Sequence, residues 1–498
     1  MRQRSVRHIV RLLVMAAVVM TIGSVSGSAE ARRPPHHAAR KPHAKRAKGG
    51  KAAAAAAAEA AASAAPAPSA APPAAKADAA PANGAGPAAG AAAPGTSPDG
   101  TPVAPPAPPP PEPGSELSIY VLTMGPGDHP FFKFGHNAIW IQDRKSRTDK
   151  VYNFGTFRFD SPKLLVEFLR GRLTYWLSVA SIQRTLAGYE SENRTVEVQE
   201  LDLDPAARLA LRDRLEENAL PENRNYKYDY FLDNCSTRVR DAIDAATGGR
   251  LRTSAQGPAR LTLRGQALRL TADYLPEYLG LYIVLGPSTD RAVDRWAEMF
   301  IPQELERGLR AVSLPGPDGQ GTRPLVKAQQ TMFHARRSPP LEEPPERAVT
   351  MLLVGIAVAI FFFAFGGWAA GQRIARFFFG VLLSIWGLVV GFVGCFLLLA
   401  WAGTDHQVVY RNQNILQFAP FAIALAVLGW GVAFGMYGAT RKALIVAVAA
   451  AALSLIGALL RVTMIWHQDN GPIIAFLVPA WVGMSAGLYN IRRIQTLR

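Results

Sequence analysis

The chain has 498 residues, 54 basic against 38 acidic side chains for a formal charge of +16, and two cysteines. Two cysteines exclude a disulfide scaffold and any Cys-rich zinc or iron–sulfur centre. The excess charge does not mark a nucleic-acid groove, because residues 1–51 hold 12 Lys and Arg against Glu30 alone and so carry +11 of the total.

Met1–Arg11 carries Arg2, Arg4, Arg7 and Arg11. An apolar run comes next, from Leu12 to about Val25, and Ala29-Glu30-Ala31 fits a small-residue cleavage site. This is the order of a secretory signal over residues 1–31. The competing reading is an uncleaved anchor helix, for which the run is short. Either way, the segment after it is exported. Residues 32–114 read as a tether, basic as far as Lys51 and then rich in Ala, Pro and Gly. Such a segment buries too little apolar surface to fold, and its prolines favour extended chain. The basic part suits contact with anionic headgroups or cell wall. A solubilising tail with no partner fits the composition equally.

Residues 115–345 read as an exported α+β domain. Strands are expected over Leu117–Met124, Lys133–Gln142 and Lys150–Thr156, where β-branched and aromatic residues cluster between turn signals, and again over Tyr175–Ile182 and Arg194–Leu203. Pro205–Leu220 is an expected helix with proline in its first turn. A second helix is expected from Asp233 or Asn234 to near Gly248-Gly249, and a third from Ser288 or Thr289 towards Val312.

From residue 346 the chain reads as a membrane domain. Five apolar stretches, about 349–370, 377–402, 416–438, 443–466 and 472–490, each approach the length of a bilayer span. Arg373 and Arg376, then Arg441 and Lys442, then Arg492, Arg493 and Arg498 fall on one side, which the positive-inside rule makes cytoplasmic. Loops 403–415 and 467–471 are then external, despite Arg411 and Arg461. The first carries Asp405 and His406, which are functional candidates because polar groups at membrane depth are costly to keep; ordinary interfacial residues are the other reading.

The soluble domain has one cysteine, Cys235, in Asp233-Asn234-Cys235-Ser236-Thr237-Arg238; the other, Cys395, lies inside the second span. Cys235 falls in the first turn of its helix, after the capping residues Asp233 and Asn234. There free N–H groups and the helix dipole lower a thiol pKa and can hold an oxyanion. A plain core cysteine fits the same apolar stripe of Cys235, Val239, Ala242, Ile243 and Ala246. A base is available in His136, which stands after a glycine at the start of a strand, in Phe134-Gly135-His136-Asn137-Ala138-Ile139. Asn153, in Tyr152-Asn153-Phe154-Gly155-Thr156, lies on the next strand, placed to orient an imidazole. His129 and His136 are spaced too irregularly for a zinc site, and neither metal nor other cofactor is expected.

The order of His on a strand, a polar residue on the next strand and Cys at a helix start resembles the circularly permuted papain-like (NlpC-like) proteins. More closely, the Gly-His-Asn-Ala-Ile, Tyr-Asn-Phe-Gly-Thr-Phe and Asp-Asn-Cys-Ser-Thr-Arg segments resemble the periplasmic domain of the Lnb-type lipoprotein N-acyltransferases. The Thr404-Asp405-His406 and Asn412-Gln413-Asn414 segments are similar to that family's membrane part. The resemblance implies a protein of the bacterial inner membrane with its catalytic domain in the periplasm. It implies ping-pong acyl transfer, in which His136 deprotonates Cys235, a membrane phospholipid donates an acyl group as a thioester, and a lipoprotein N-terminal amine accepts it. Two alternatives stand beside it. One is a cysteine hydrolase of the same fold, a cell-wall peptidase or amidase or a phospholipase. The other is a non-enzymatic envelope scaffold with a lone core cysteine.

Overall fold

The structure, a computed structural model, describes residues 111–157, 162–316, 318–463 and 467–497. The expected signal and the expected tether as far as residue 110 lie outside the described residues.

β1 (Leu117–Met124) buries Leu117, Ile119 and Val121 in one apolar cluster and Leu122 and Met124 in another, as a central strand covered on both faces must. A 3-10 turn over Pro130–Phe132 delays β2 (His136–Asp143), which therefore starts three residues later than its sequence suggests. β3 (Thr148–Thr156), α1 (Pro162–Arg170) and β4 (Thr174–Ala180) come next. The strand expected to run to Ile182 stops here because Ser181 accepts from the Arg184 N–H and caps α2 (Ile182–Ser191). After it lie β5 (Val196–Leu201), α3 (Pro205–Ala219), β6 (Asn225–Lys227) and α4 (Cys235–Ala246).

Then come α5 (Arg250–Ser254), α6 (Leu263–Thr271) and α7 (Leu275–Val284). The single helix expected towards Val312 is instead a 3-10 turn, Pro287–Asp290, and two short helices, α8 (Arg295–Glu298) and α9 (Pro302–Arg310). Asp294 caps the first, and Pro302, lacking an N–H, opens the second rather than continuing it. β7 (Ser313–Pro315), β8 (Thr322–Pro324) and β9 (Val326–Phe333) complete this region.

Seven strands form one antiparallel sheet in the order β6-β4-β3-β2-β1-β5-β9. One face packs on α3, α4 and α9 through Leu211, Leu215, Val239, Ile243, Leu305 and Leu309. Ile182, Leu186 and Tyr189 of α2 cover the other. The region is mixed helix and sheet, as expected.

Five apolar helical stretches long enough to cross a bilayer make up the C-terminal region. They are α10 (Ala348–Gly371), α11 (Arg373–Gly403), a broken third, α14 (Tyr437–Val462) and α15 (Gly471–Leu497). The apolar run 416–438 suggests a continuous third span. It divides into α12 (Asn414–Phe418), a 3-10 turn over Pro420–Ala424 and α13 (Leu425–Ala433), because Ala419 takes φ +38° and Pro420 cannot donate to the preceding turn.

α7 joins the two regions. Its Tyr278 and Tyr282 are buried in the same apolar cluster as Phe418, Ala419 and Leu477 of the membrane helices. The last carbonyls of a helix lack intrahelical donors, and here side chains supply them. Asn412 Nδ2 donates to Ile283 O at 2.9 Å and Val284 O at 2.8 Å. Asn414 Nδ2 donates to Ile283 O at 2.9 Å, Gln468 Nε2 to Leu285 O at 3.1 Å and the buried Arg264 Nη2 to Leu285 O at 2.7 Å.

Candidate active site

Asn234 sets where α4 begins. Its side chain accepts from the Thr237 N–H at 2.9 Å while its own N–H donates to Thr237 Oγ1 at 2.8 Å, a reciprocal capping box. Its amide nitrogen also donates to Tyr230 O and Phe300 O, both at 3.0 Å, which ties the cap to the flanking loops. Asp233 is occupied otherwise: its carboxylate takes both arms of Arg238, at 2.5 and 2.7 Å. Asn234 is thus the cap, and Asp233 is engaged in an ion pair.

Cys235 is the first residue of α4, and the helix lies against β2 and β3. Gly155 makes the close approach possible: it takes φ +88°, and a Cβ there would stand 3.4 Å from Cys235 Cβ. Burial pushes the Cys235 thiol up, against the backbone N–H groups of Asn137 and Ser236, the Arg194 charge and its own N–H, which pull it down. The lowered pKa expected from the helix start is therefore not what the site has. The N–H groups are in place, but desolvation of the sulfur outweighs them.

His136 opens β2, next to Asn137, whose N–H faces the sulfur. Its pKa is lowered to about 3 by burial and then by the Arg194 charge, while a hydrogen bond with the Asn153 side chain acts the other way. The imidazole is neutral at physiological pH. Asn153 stands on β3 where the pairing with β4 shifts register, and its Nδ2 donates to Val151 O at 3.3 Å. The fold thus joins His136 to Asn153 and sets Cys235 against the residue that comes after His136.

Tyrosines enclose the sulfur. The phenols of Tyr226 and Tyr228 are pushed up first by burial and next by Cys235. Tyr228 packs on Tyr175 at 4.1 Å between centroids and meets Tyr230 edge-on at 5.8 Å.

Asp405 and His406 do not join this centre. Asp405 pairs with Arg172 at 2.5 Å, and its N–H donates to Arg170 O at 2.8 Å. His406 Nε2 lies 2.8 Å from Phe168 O, and its ring stacks on Tyr230 at 6.1 Å. Phe168 and Arg170 end α1, so these two residues dock the membrane loop onto a helix C-terminus, where a histidine is well placed electrostatically. Gly171 admits them: it has φ +73°, and a Cβ there would meet His406 N at 2.9 Å. Tyr230 packs on both His406 and Tyr228, and Tyr228 is the one of the two whose phenol Cys235 acts on. Among the described residues no three His, Cys, Asp or Glu side chains gather as metal ligands.

Sequence reasoning misses Arg194 and Tyr189. Arg194 precedes β5 and is 2% exposed. Its guanidinium lies 4.6 Å from the Tyr189 ring, and Tyr189 stacks on His136 at 6.3 Å. No local pattern announces either residue, since both reach the site through tertiary packing.

The fold and this constellation define a multi-pass membrane protein carrying an exported helix–sheet domain. Residues 113–265 match the family model of the Lnb N-terminal periplasmic domain, which bears out the likeness to the Lnb-type lipoprotein N-acyltransferases. That match and the five helices place the protein in the inner membrane with its soluble domain in the periplasm. No curated protein and no solved structure matches the chain.

Proposed function

We propose that the protein is a thiol acyltransferase that moves a fatty acyl group from a membrane phospholipid, through a thioester on Cys235, to the N-terminal amine of a lipoprotein. Residues 115–345 are the catalytic domain, a permuted papain-like fold, and residues 346–498 its membrane domain. The observation that carries the reading is a cysteine at a helix start set against the residue that comes after His136, with Asn153 near the imidazole, all within the region that matches the family model.

In the first half-reaction His136 takes the thiol proton as the sulfur attacks the ester carbonyl. The new S–C bond forms a tetrahedral oxyanion, which faces N–H groups at the start of α4. The C–O bond then breaks, and His136 returns the proton to the departing lysolipid oxygen. In the second half-reaction the free amine attacks the thioester, an amide forms, and the C–S bond breaks. The sulfur recovers a proton from the amine by way of His136. With the thiol pKa raised and the imidazole pKa lowered, the resting pair is neutral. The proton therefore moves with the attack rather than before it.

Cys235 is 9% exposed, which keeps bulk water from a thioester and favours transfer over hydrolysis. The test is intact mass after incubation with phospholipid vesicles. The wild type is expected to gain one fatty acyl group that hydroxylamine releases, and Cys235→Ala none. A wild type that gains no acyl group although Cys235 can be alkylated would favour a cell-wall peptide substrate. No adduct with an inert thiol would favour a scaffold.

A further inference from the structure

We propose that Arg194 and Tyr189 are positioning residues of this acyl-transfer site: a stack of Phe132, the buried Arg194, Tyr189 and His136 fixes the plane of the imidazole, and Arg194 supplies a fixed positive charge beside it. The inference rests on the acyltransferase reading for its reaction, but not for its geometry.

The guanidinium is 4.9 Å from the Phe132 centroid and 4.6 Å from that of Tyr189, so aromatic rings hold it. The Tyr189 ring then lies 6.3 Å from His136 at an interplanar angle of 21°. Only part of the guanidinium is satisfied. Nε donates to Gly125 O at 2.9 Å and Nη1 to Glu192 at 3.1 Å, while Nη2 is buried with no acceptor. A buried arginine with an unmet donor is expensive to keep. A role for its charge accounts for that cost better than stability does, since an apolar side chain would fill the same space without it.

The groups around His136 and Cys235 are Arg194 and Glu192 ahead of β5, Tyr189 on α2, Asn153 on β3, Tyr175 on β4, and Tyr226 and Tyr228 on and just after β6. Among the groups that shift His136 and Cys235 themselves, Arg194 alone is charged. It disfavours the imidazolium and favours the thiolate. Removing it is therefore expected to raise both pKa values.

Two measurements on the full-length protein in detergent micelles test this. The first needs no acyl chemistry: alkylation of Cys235 by iodoacetamide against pH, read by peptide mass. Arg194→Gln is expected to move the midpoint up by about one unit, an ordinary size for losing one close charge, and Arg194→Lys to leave it in place. The second is the rate of acyl adduct formation from vesicles. Tyr189→Ala is expected to lower kcat about 10- to 100-fold with KM unchanged, the scale of losing an orienting partner, and Tyr189→Phe to stay within about threefold. An unmoved alkylation midpoint in Arg194→Gln, or unchanged kcat in Tyr189→Ala, overturns the proposal. If Arg194→Gln does not fold, Tyr189→Ala decides, because it leaves the Arg194–Glu192 pair in place. If the wild type forms no adduct, the acyltransferase reading fails, and the alkylation curves of wild type, Arg194→Gln and Arg194→Lys decide the role of Arg194.

Discussion

The polar side chains at the site have identifiable partners, and those set what the loss of each should do. His136→Ala removes the proposed base and is expected to abolish adduct formation as completely as Cys235→Ala, by at least about 1,000-fold. Circular dichroism should show both variants folded. In the proposed site Asn153 orients the ring, so Asn153→Ala should slow the reaction about 10- to 100-fold; a rate equal to wild type would remove it from the site. His406 binds Phe168 O and stacks on Tyr230, so His406→Ala should leave the chemical step within about threefold of wild type. A loss as deep as that of His136→Ala would place it in the chemistry. The places of Cys235, His136 and Asn153 in the fold are legible in the sequence because each stands at a local signal: a helix cap, a glycine before a strand, a strand neighbour. Arg194 and Tyr189 have no such signal. The raised thiol pKa is also illegible, because a helix start can be read from sequence and depth of burial cannot.

At the level of elements, the short polar segments beside the membrane turn out to be helix caps. Asp405 and His406 serve the end of α1, and Asn412, Asn414 and Gln468 serve the end of α7. Asn412→Leu would strip Val284 O of its side-chain donor and Ile283 O of one of two, at roughly 1–3 kcal/mol. It should lower the thermal midpoint of the whole protein while leaving the sheet intact by circular dichroism. An unchanged midpoint would show that water replaces the amide. α7 also carries Glu277, whose carboxyl is pushed up to about 7 by burial, against Lys133, which pulls it down. A raised acid stabilises the fold below its unfolded pKa and loses that contribution as pH rises through 7. Glu277→Gln should therefore raise the thermal midpoint at pH 8.5 relative to wild type and give no gain at pH 5; the reverse order would contradict this assignment. Strand and span positions are largely readable from hydrophobic period. The missed α2 and the break at Ala419-Pro420 each turn on one residue, Ser181 and Pro420, whose effect on the backbone outweighs the surrounding pattern.

For the molecule as a whole, the shared core matters more than either part. A fragment ending near residue 345 would expose the face of α7 that now packs on the membrane helices, including Tyr278 and Tyr282. Such a contiguous apolar patch drives association. The fragment is expected to bind a hydrophobic dye and to aggregate unless detergent covers it; a monomeric, dye-negative fragment would show that the join is dispensable. Two regions are evident from composition, but their fusion is not, because asparagines in a loop look the same whether they face water or the end of a helix. A join through amides and packed tyrosines also behaves as a ruler. It holds Cys235 at one height relative to the membrane helices, so the proposed transfer would sort bonds by depth as well as by chemistry. On that reaction, an ester presented at that height would be within reach, and the same ester held deeper would not.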